Sequence, residues 1–281
     1  MIEESYASNY LPIIANFLQG KQVDFKSFQN PEKEKSSSEN SILTALFNNG
    51  MYQISDYGYE VAPEKAPENS VAIISISDVI TKYDQNCGPS GMKTKADILT
   101  RCYNNPNIKG IVLSIDSGGG EGLACNLLQE TISKRNKGVA AFVDDFACSA
   151  AYGIAAACDT VTLNSKMARV GSIGSYFTIA DYSKYYENLG INLIDIYASK
   201  STDKNRDYFE AIKGNTEPLK KVCDIYNENF IASIANYRKG RISEDQSQWN
   251  TGKIFFAEDA IKLGLADEIA SLTDVVNYFN T

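Results

Sequence analysis

The sequence has no histidine in its 281 residues. That absence removes the Ser-His-Asp triad, the Cys-His dyad, histidine-held metals and every imidazole acid/base scheme. A nucleophile in this chain needs a lysine of depressed pKa or a carboxylate as its base. Blocks of lysine and arginine are missing too, and with a net charge of −8 and a sequence pI of about 4.8 the chain lacks the electrostatic footprint of a nucleic-acid binder. No apolar run approaches the roughly eighteen residues that a membrane span needs. The N-terminus, Met1-Ile-Glu-Glu-Ser, is acidic where a secretory signal is basic. A soluble, cytoplasmic protein is expected. The six cysteines (Cys87, Cys102, Cys125, Cys148, Cys158, Cys223) show no C-x-x-C spacing. Several lie in apolar segments, as reduced buried thiols do, so neither disulfides nor a zinc site is indicated and no cofactor is expected.

What is present suffices for a real core, with 43% hydrophobic residues. Apolar spacing predicts an amphipathic helix over Tyr6 to Leu18, followed by a charged, Ser-rich linker from Lys21 to Asn40 and a short hairpin within Met51 to Val61. Residues 1–67 read as an appendage, 68–270 as the main domain and 271–281 as a C-terminal helix or tail. The main domain opens on a β-branched strand at Val71 to Asp78, then a loop from Thr81 to Gly91 and a helix from Thr94 to Asn104. Lys109 to Asp116 reads as a strand, Gly118 to Gly120 as a turn, Gly122 to Arg135 as a helix and Val139 to Val143 as the third strand. Short strands at Asp159 to Leu163 and Ala168 to Gly174 precede a helix from Ile179 to Leu189 and a strand from Ile191 to Tyr197. Phe209 to Lys239 is mostly helical, Phe255 to Asp267 a short helix closed by Gly264, and Leu272 to Phe279 a last helix. Such βαβ repetition predicts an α/β fold with a largely parallel sheet flanked by helices, whose ligands gather at the carboxyl ends of the strands.

Two segments fall at those ends. In Phe142 to Asp159 an apolar strand runs into an Ala-rich stretch that reads as a helix buried on all sides, with Ser149 at the junction. A hydroxyl at a buried helix start has backbone N–H groups and a positive dipole end beside it, which suits a nucleophile; an N-cap serine is the structural alternative. Ile115-Asp-Ser-Gly-Gly-Gly-Glu-Gly122 lacks both the lysine of a phosphate loop and the G-x-G-x-x-G spacing of a dinucleotide turn. It reads as an oxyanion hole or as a sharp strand-to-helix turn. Val170-Gly-Ser-Ile-Gly174 is a second small turn, and Lys200 and Lys204 lie in Ala198-Ser-Lys-Ser-Thr-Asp-Lys-Asn205 just past a strand. Cys148 is the rival nucleophile, held as packing: neighbours at a helix start point about 100° apart, and no cationic partner is evident to lower its pKa.

These pieces resemble the signal peptide peptidase A family of serine peptidases, within the Clp protease and crotonase superfamily, over roughly Val71 to Asp267. Val112-Leu-Ser-Ile-Asp-Ser-Gly-Gly-Gly-Glu is similar to that family's glycine loop, Ala147-Cys-Ser-Ala-Ala-Tyr-Gly-Ile-Ala to its nucleophile segment, and Val170-Gly-Ser-Ile-Gly to the turn that follows. Tyr182-Ser-Lys, Leu189-Gly-Ile and Ala260-Ile-Lys-Leu-Gly-Leu-Ala-Asp-Glu match further family habits in order.

The resemblance implies a Clp/crotonase-like fold of repeated ββα and βαβ units and a Ser-Lys dyad, which needs no histidine. It makes Ser149 the nucleophile, Gly120 with Gly119 and the Ala150 N–H the oxyanion hole, and Ser172 the support of the lysine. The chain departs in having Gly118 for the usual Pro and Ala150-Ala151 for Gly-Gly, small size being kept. The family's base comes three residues after a glycine. Here Ser201-Thr-Asp-Lys204 keeps the step with Ser for Gly, favouring Lys204 with Lys200 as the alternate. The soluble members it most resembles are phage head maturation proteases, implying a peptide or protein substrate, a homo-oligomer, possible capsid, scaffold or portal partners and a place in the assembling prohead. A crotonase-like acyl-CoA enzyme and a catalytically silent assembly protein are the alternatives on the same fold.

Overall fold

A computed structural model describes residues 45–48, 51–54, 62–85 and 88–280. The helix expected over Tyr6 to Leu18, the linker from Lys21 to Asn40 and residues 55–61 of the expected hairpin lie outside them. The contacts divide the described chain into two units, one running to Gly174 and resuming at Phe230, the other being Ser175–Asn229.

The first unit is built on one sheet. A hairpin, β1 (Ala45–Asn48) and β2 (Met51–Ile54), pairs antiparallel with the edge of β3 (Ser70–Ile80). The segment before residue 67 thereby gives the sheet two strands. Beyond β3 come β4 (Ile108–Gly120), β5 (Gly138–Cys148), β6 (Thr160–Leu163) and β9 (Glu268–Ile269), all parallel. β5 changes neighbour along its length: its first half pairs with β6, its last residues with β7 (Arg169–Gly171), on which β8 (Ile254–Phe256) lies antiparallel. This is the mostly parallel α/β architecture expected, with helices α1 (Met92–Asn104), α2 (Gly122–Ser133) and α3 (Ala150–Ala156) as its crossovers.

The central strands carry apolar side chains on both faces, as strands covered on both sides must. Ile74 and Ile76 of β3, Ile111, Leu113 and Ile115 of β4, and Val139, Ala141 and Val143 of β5 share a core with Leu99 of α1, Leu128 and Ile132 of α2 and Ile154 of α3. Their alternates, Val71, Ile73, Val112, Ala140 and Phe142, meet Val275 and Val276 of α8 (Leu272–Asn277) on the opposite face. Two glycines let the chain's last turn approach that face. A Cβ on Gly110 would lie 2.1 Å from the Phe279 ring and one on Gly138 2.7 Å from it.

Three expectations differ from the structure. Gly118 to Gly120 is not a free turn: it continues β4, and Gly120 pairs with Ile80 after a register shift at Asp78. Phe255 belongs to β8, ahead of the short helix α7 (Ala257–Lys262). Ile191 to Tyr197 forms no strand. The Ser175–Asn229 unit instead contains α4 (Ser183–Asn188), α5 (Arg206–Ile212) and the N-terminal part of α6 (Glu217–Tyr237).

Candidate active site

β5 ends at Cys148 and α3 begins at Ala150, so Ser149 alone turns the chain. It does so at φ 53° and ψ −123°, a conformation in the left-handed half of backbone space that non-glycine residues avoid. Its side chain makes no capping bond, which answers the N-cap alternative. The main chain is pinned instead: Ser149 N donates to Gly171 O at 2.8 Å, and Ser149 O accepts from Gly153 N at 3.0 Å. The residue is 2% exposed, and every residue of α3 is buried, as its small side chains require. Cys148, the sequence rival, is fully buried at the end of β5.

The glycine segment lies directly against this turn. A Cβ on Gly119 (φ 104°) would sit 2.8 Å from both Ser149 Cβ and Cys148 O, and 3.1 Å from Ala150 N. At Gly120 a Cβ would lie 2.1 Å from Ile80 O. Ser117, buried, ties the segment down: its Oγ donates to Asp78 O in a short bond and accepts from Gly119 N at 3.1 Å. Gly119 N–H would enter an oxyanion role only by exchanging that partner. Asp78 takes φ 58° where β3 shifts register. Neither Ser117 nor Asp78 stands out in the sequence by itself; a serine between an aspartate and three glycines is the available signal.

Asp116, at the same strand end, has its carboxyl pKa raised, by burial first and by Asp145 next. Ser172, the residue after β7, completes the cluster. It has φ 51°, and its N–H donates to Lys253 O at 2.8 Å, next to Gly171, the partner of Cys148 in the ladder. The first unit thus brings together Gly119, Gly120, Ser149, Ala150 and Ser172.

Lys200 and Lys204 belong to the second unit, both exposed. They occupy a pair of tight turns in which Ser201 N donates to Ala198 O (2.9 Å) and Lys204 N to Ser201 O (3.4 Å). Asn205 then takes φ 60° before α5. Among the described residues no group of three or more cysteine, aspartate and glutamate side chains is arranged to hold a metal ion.

The model of a family described as peptidase family S49 matches residues 131–281, more than half of the chain. The chain belongs to peptidase family S49. The matched part of this S49 member takes in Ser149, Ser172 and both lysines and begins after the glycine segment. It bears out the resemblance read from the motifs. The chain is 29% identical to a putative protease of Methanocaldococcus jannaschii over 216 residues, covering 74% of this chain and 69% of that one. It is 24% identical to capsid assembly protease C of Escherichia phage lambda, covering 98% of this chain and 62% of that one. To the head-tail preconnector protein GP5 of Enterobacteria phage P21 it is 25% identical, over 76% of this chain and 43% of that one. The alignments with the two phage proteins thus span less than two thirds of those proteins' lengths. Among solved structures, similarity extends to an enoyl-CoA hydratase/isomerase family member (TM-score 0.46, 16% identity, 76% of this chain and 74% of that one). It extends also to a ClpP1 of Listeria monocytogenes (TM-score 0.45, 14% identity, 73% and 94%).

Proposed function

We propose that this S49 member is a serine endopeptidase with Ser149 as nucleophile and Lys204 as its base. The observation that carries the reading is the Ser149 turn: a nearly buried serine at positive φ, with no capping bond, held against glycine backbone on one side and the N-terminus of a buried helix on the other. In the first step Ser149 Oγ attacks the scissile carbonyl carbon and its proton passes to the Lys204 Nζ. The N–H groups of Gly120 and Ala150, with Gly119 in support, stabilise the oxyanion. The C–N bond then breaks, and the ammonium protonates the leaving amine. A water deprotonated by the same lysine attacks the acyl-enzyme, and Ser149 leaves with that proton. Ser172 supports the lysine.

The two phage relatives, a capsid assembly protease and a head-tail preconnector protein, favour a capsid, scaffold or portal protein as substrate or partner and a site of action in the assembling prohead, where the enzyme would act as a homo-oligomer. No described helix is long and apolar enough to cross a membrane.

The test is reaction of the full chain with a fluorophosphonate probe, followed by peptide mapping and turnover of a peptide library. Wild type should be labelled at Ser149, and Ser149→Ala should lose both labelling and cleavage with its circular dichroism unchanged. Lys204→Ala should lose at least a hundredfold in kcat while Lys200→Ala stays within a fewfold. Undiminished cleavage by Ser149→Ala ends the proposal, and the reverse ranking of the lysines moves the base to Lys200.

A further inference from the structure

A glutamine the reaction scheme does not use sits between the two halves of the site. Gln129 lies on α2 and is 3% exposed, in the apolar layer formed by Cys125, Leu128 and Ile132. A side-chain amide there costs free energy unless its hydrogen bonds are made, and methionine or leucine would fill the same space without that cost. Gln129 Nε2 donates to Gly153 O on α3 at 2.7 Å. Gly153 is the residue whose own N–H holds Ser149 O. In a continuing α-helix the Ala157 N–H would take the Gly153 carbonyl, but it is directed at Ile154 O and Ala155 O. The glutamine supplies the missing donor. Gly153 also has no room for a side chain, since a Cβ would lie 2.6 Å from Cys125 Sγ and 2.8 Å from the Phe230 ring.

α2 starts at Gly122, immediately after the glycine segment and Glu121, and α3 starts at Ala150, immediately after Ser149. Each helix carries one half of the site at its N-terminus. A slide of one along the other changes the distance between the glycine N–H groups and Ser149 Oγ, and misplacement of about 1 Å is enough to cost ~100-fold in rate. We propose that Gln129 is a positioning residue: its directional bond to Gly153 fixes α2 against α3 and so sets the oxyanion donors at their working distance from Ser149. The role rests on Ser149 being the nucleophile.

The test uses the full chain with Gln129→Met, which keeps volume and loses the donor, and Gln129→Glu, which keeps shape. Gln129→Met should be labelled by the fluorophosphonate at Ser149 more slowly and lose roughly 10- to 100-fold in kcat. KM should change less than about threefold, at a temperature where thermal melting shows it fully folded. Gln129→Glu gives the readout that packing alone does not move. Its protonated carboxyl can still donate to Gly153 O and its carboxylate cannot, so its kcat relative to wild type should approach one in acid and fall as pH rises. Equal labelling and kcat for Gln129→Met and wild type, or a Gln129→Glu ratio that stays well below one at every pH, overturns the positioning role and leaves the peptidase reading standing. If Gln129→Met does not fold, the Gln129→Glu profile decides. A wild type unlabelled at Ser149 sinks the peptidase reading and the role of Gln129 with it.

Discussion

Ser149 combines a side chain that caps nothing with a backbone that glycine would adopt more easily. Non-glycine residues held in such sparsely populated conformations cost ~1–3 kcal/mol, whereas glycine for alanine loses only about 0.5–1 kcal/mol through chain entropy. Relief of strain is the larger effect. Two variants therefore separate: Ser149→Gly should be more stable than Ser149→Ala by ~1 kcal/mol, read as a higher urea midpoint at unchanged slope. Glycine gaining nothing over alanine would mean the turn is unstrained. This conformation could not be read from the sequence, because serine announces a helix cap and a positive φ is invisible behind a residue that normally avoids one. The absence of histidine, by contrast, is fully legible and leaves lysine or a carboxylate as the base that a nucleophile in this chain would need.

At the scale of elements, the run of β-branched strands and the Ala-rich helix were legible because their periodicities leave few alternatives: Val71 to Asp78 falls within β3 and the small-residue run became α3. Ile191 to Tyr197 misled for a physical reason. A run of apolar residues reads as a buried strand, but a strand exists only through a neighbour. In the structure Leu193, Ile194 and Ile196 are 63%, 76% and 91% exposed. β8 and β9, three and two residues long, were too short to show a period. The C-terminal helix was expected in about the right place, yet nothing in its sequence said which surface it covers. In the structure Val275 and Val276 are fully buried on the second face of the sheet. Trimming either to alanine removes two methylene equivalents, and each variant should lose ~2 kcal/mol. Denaturant midpoints check this, and unchanged midpoints would show that α8 does not cover the sheet.

For the whole molecule the lack of histidine has a second outcome: no side chain of ordinary pKa titrates between about pH 5 and 8, so stability should be nearly flat there and bend in acid. Asp267 contributes to the bend. Burial alone would raise its pKa, but fully buried Arg238, which donates to both carboxylate oxygens at 2.8 and 2.9 Å, together with Val161 N–H lowers it overall. Glu64, held down to about 2 by Arg101, acts in the same sense. A carboxyl depressed in the native state stabilises above its unfolded pKa and loses that contribution as pH falls through the native value. Asp116 runs the other way, its penalty being relieved in acid. Asp267→Asn strands the Arg238 charge and should cost about 3 kcal/mol near pH 7. Its gap to wild type should close as pH drops below the carboxylate range, and a gap constant down to pH 2 would exclude the ion pair as the cause.

The approach of Phe279 to Gly110 and Gly138 bears on how the protein is made. During synthesis β4 and β5 leave the ribosome long before the ring that covers them. Until it arrives, Val112, Ala140 and Phe142 offer a bare apolar surface to any other unfinished chain nearby. That side of the sheet is covered only once residues 272–279 have been made, so a chain stopped shortly before residue 272 would carry Ser149 and the glycine segment with its back still open.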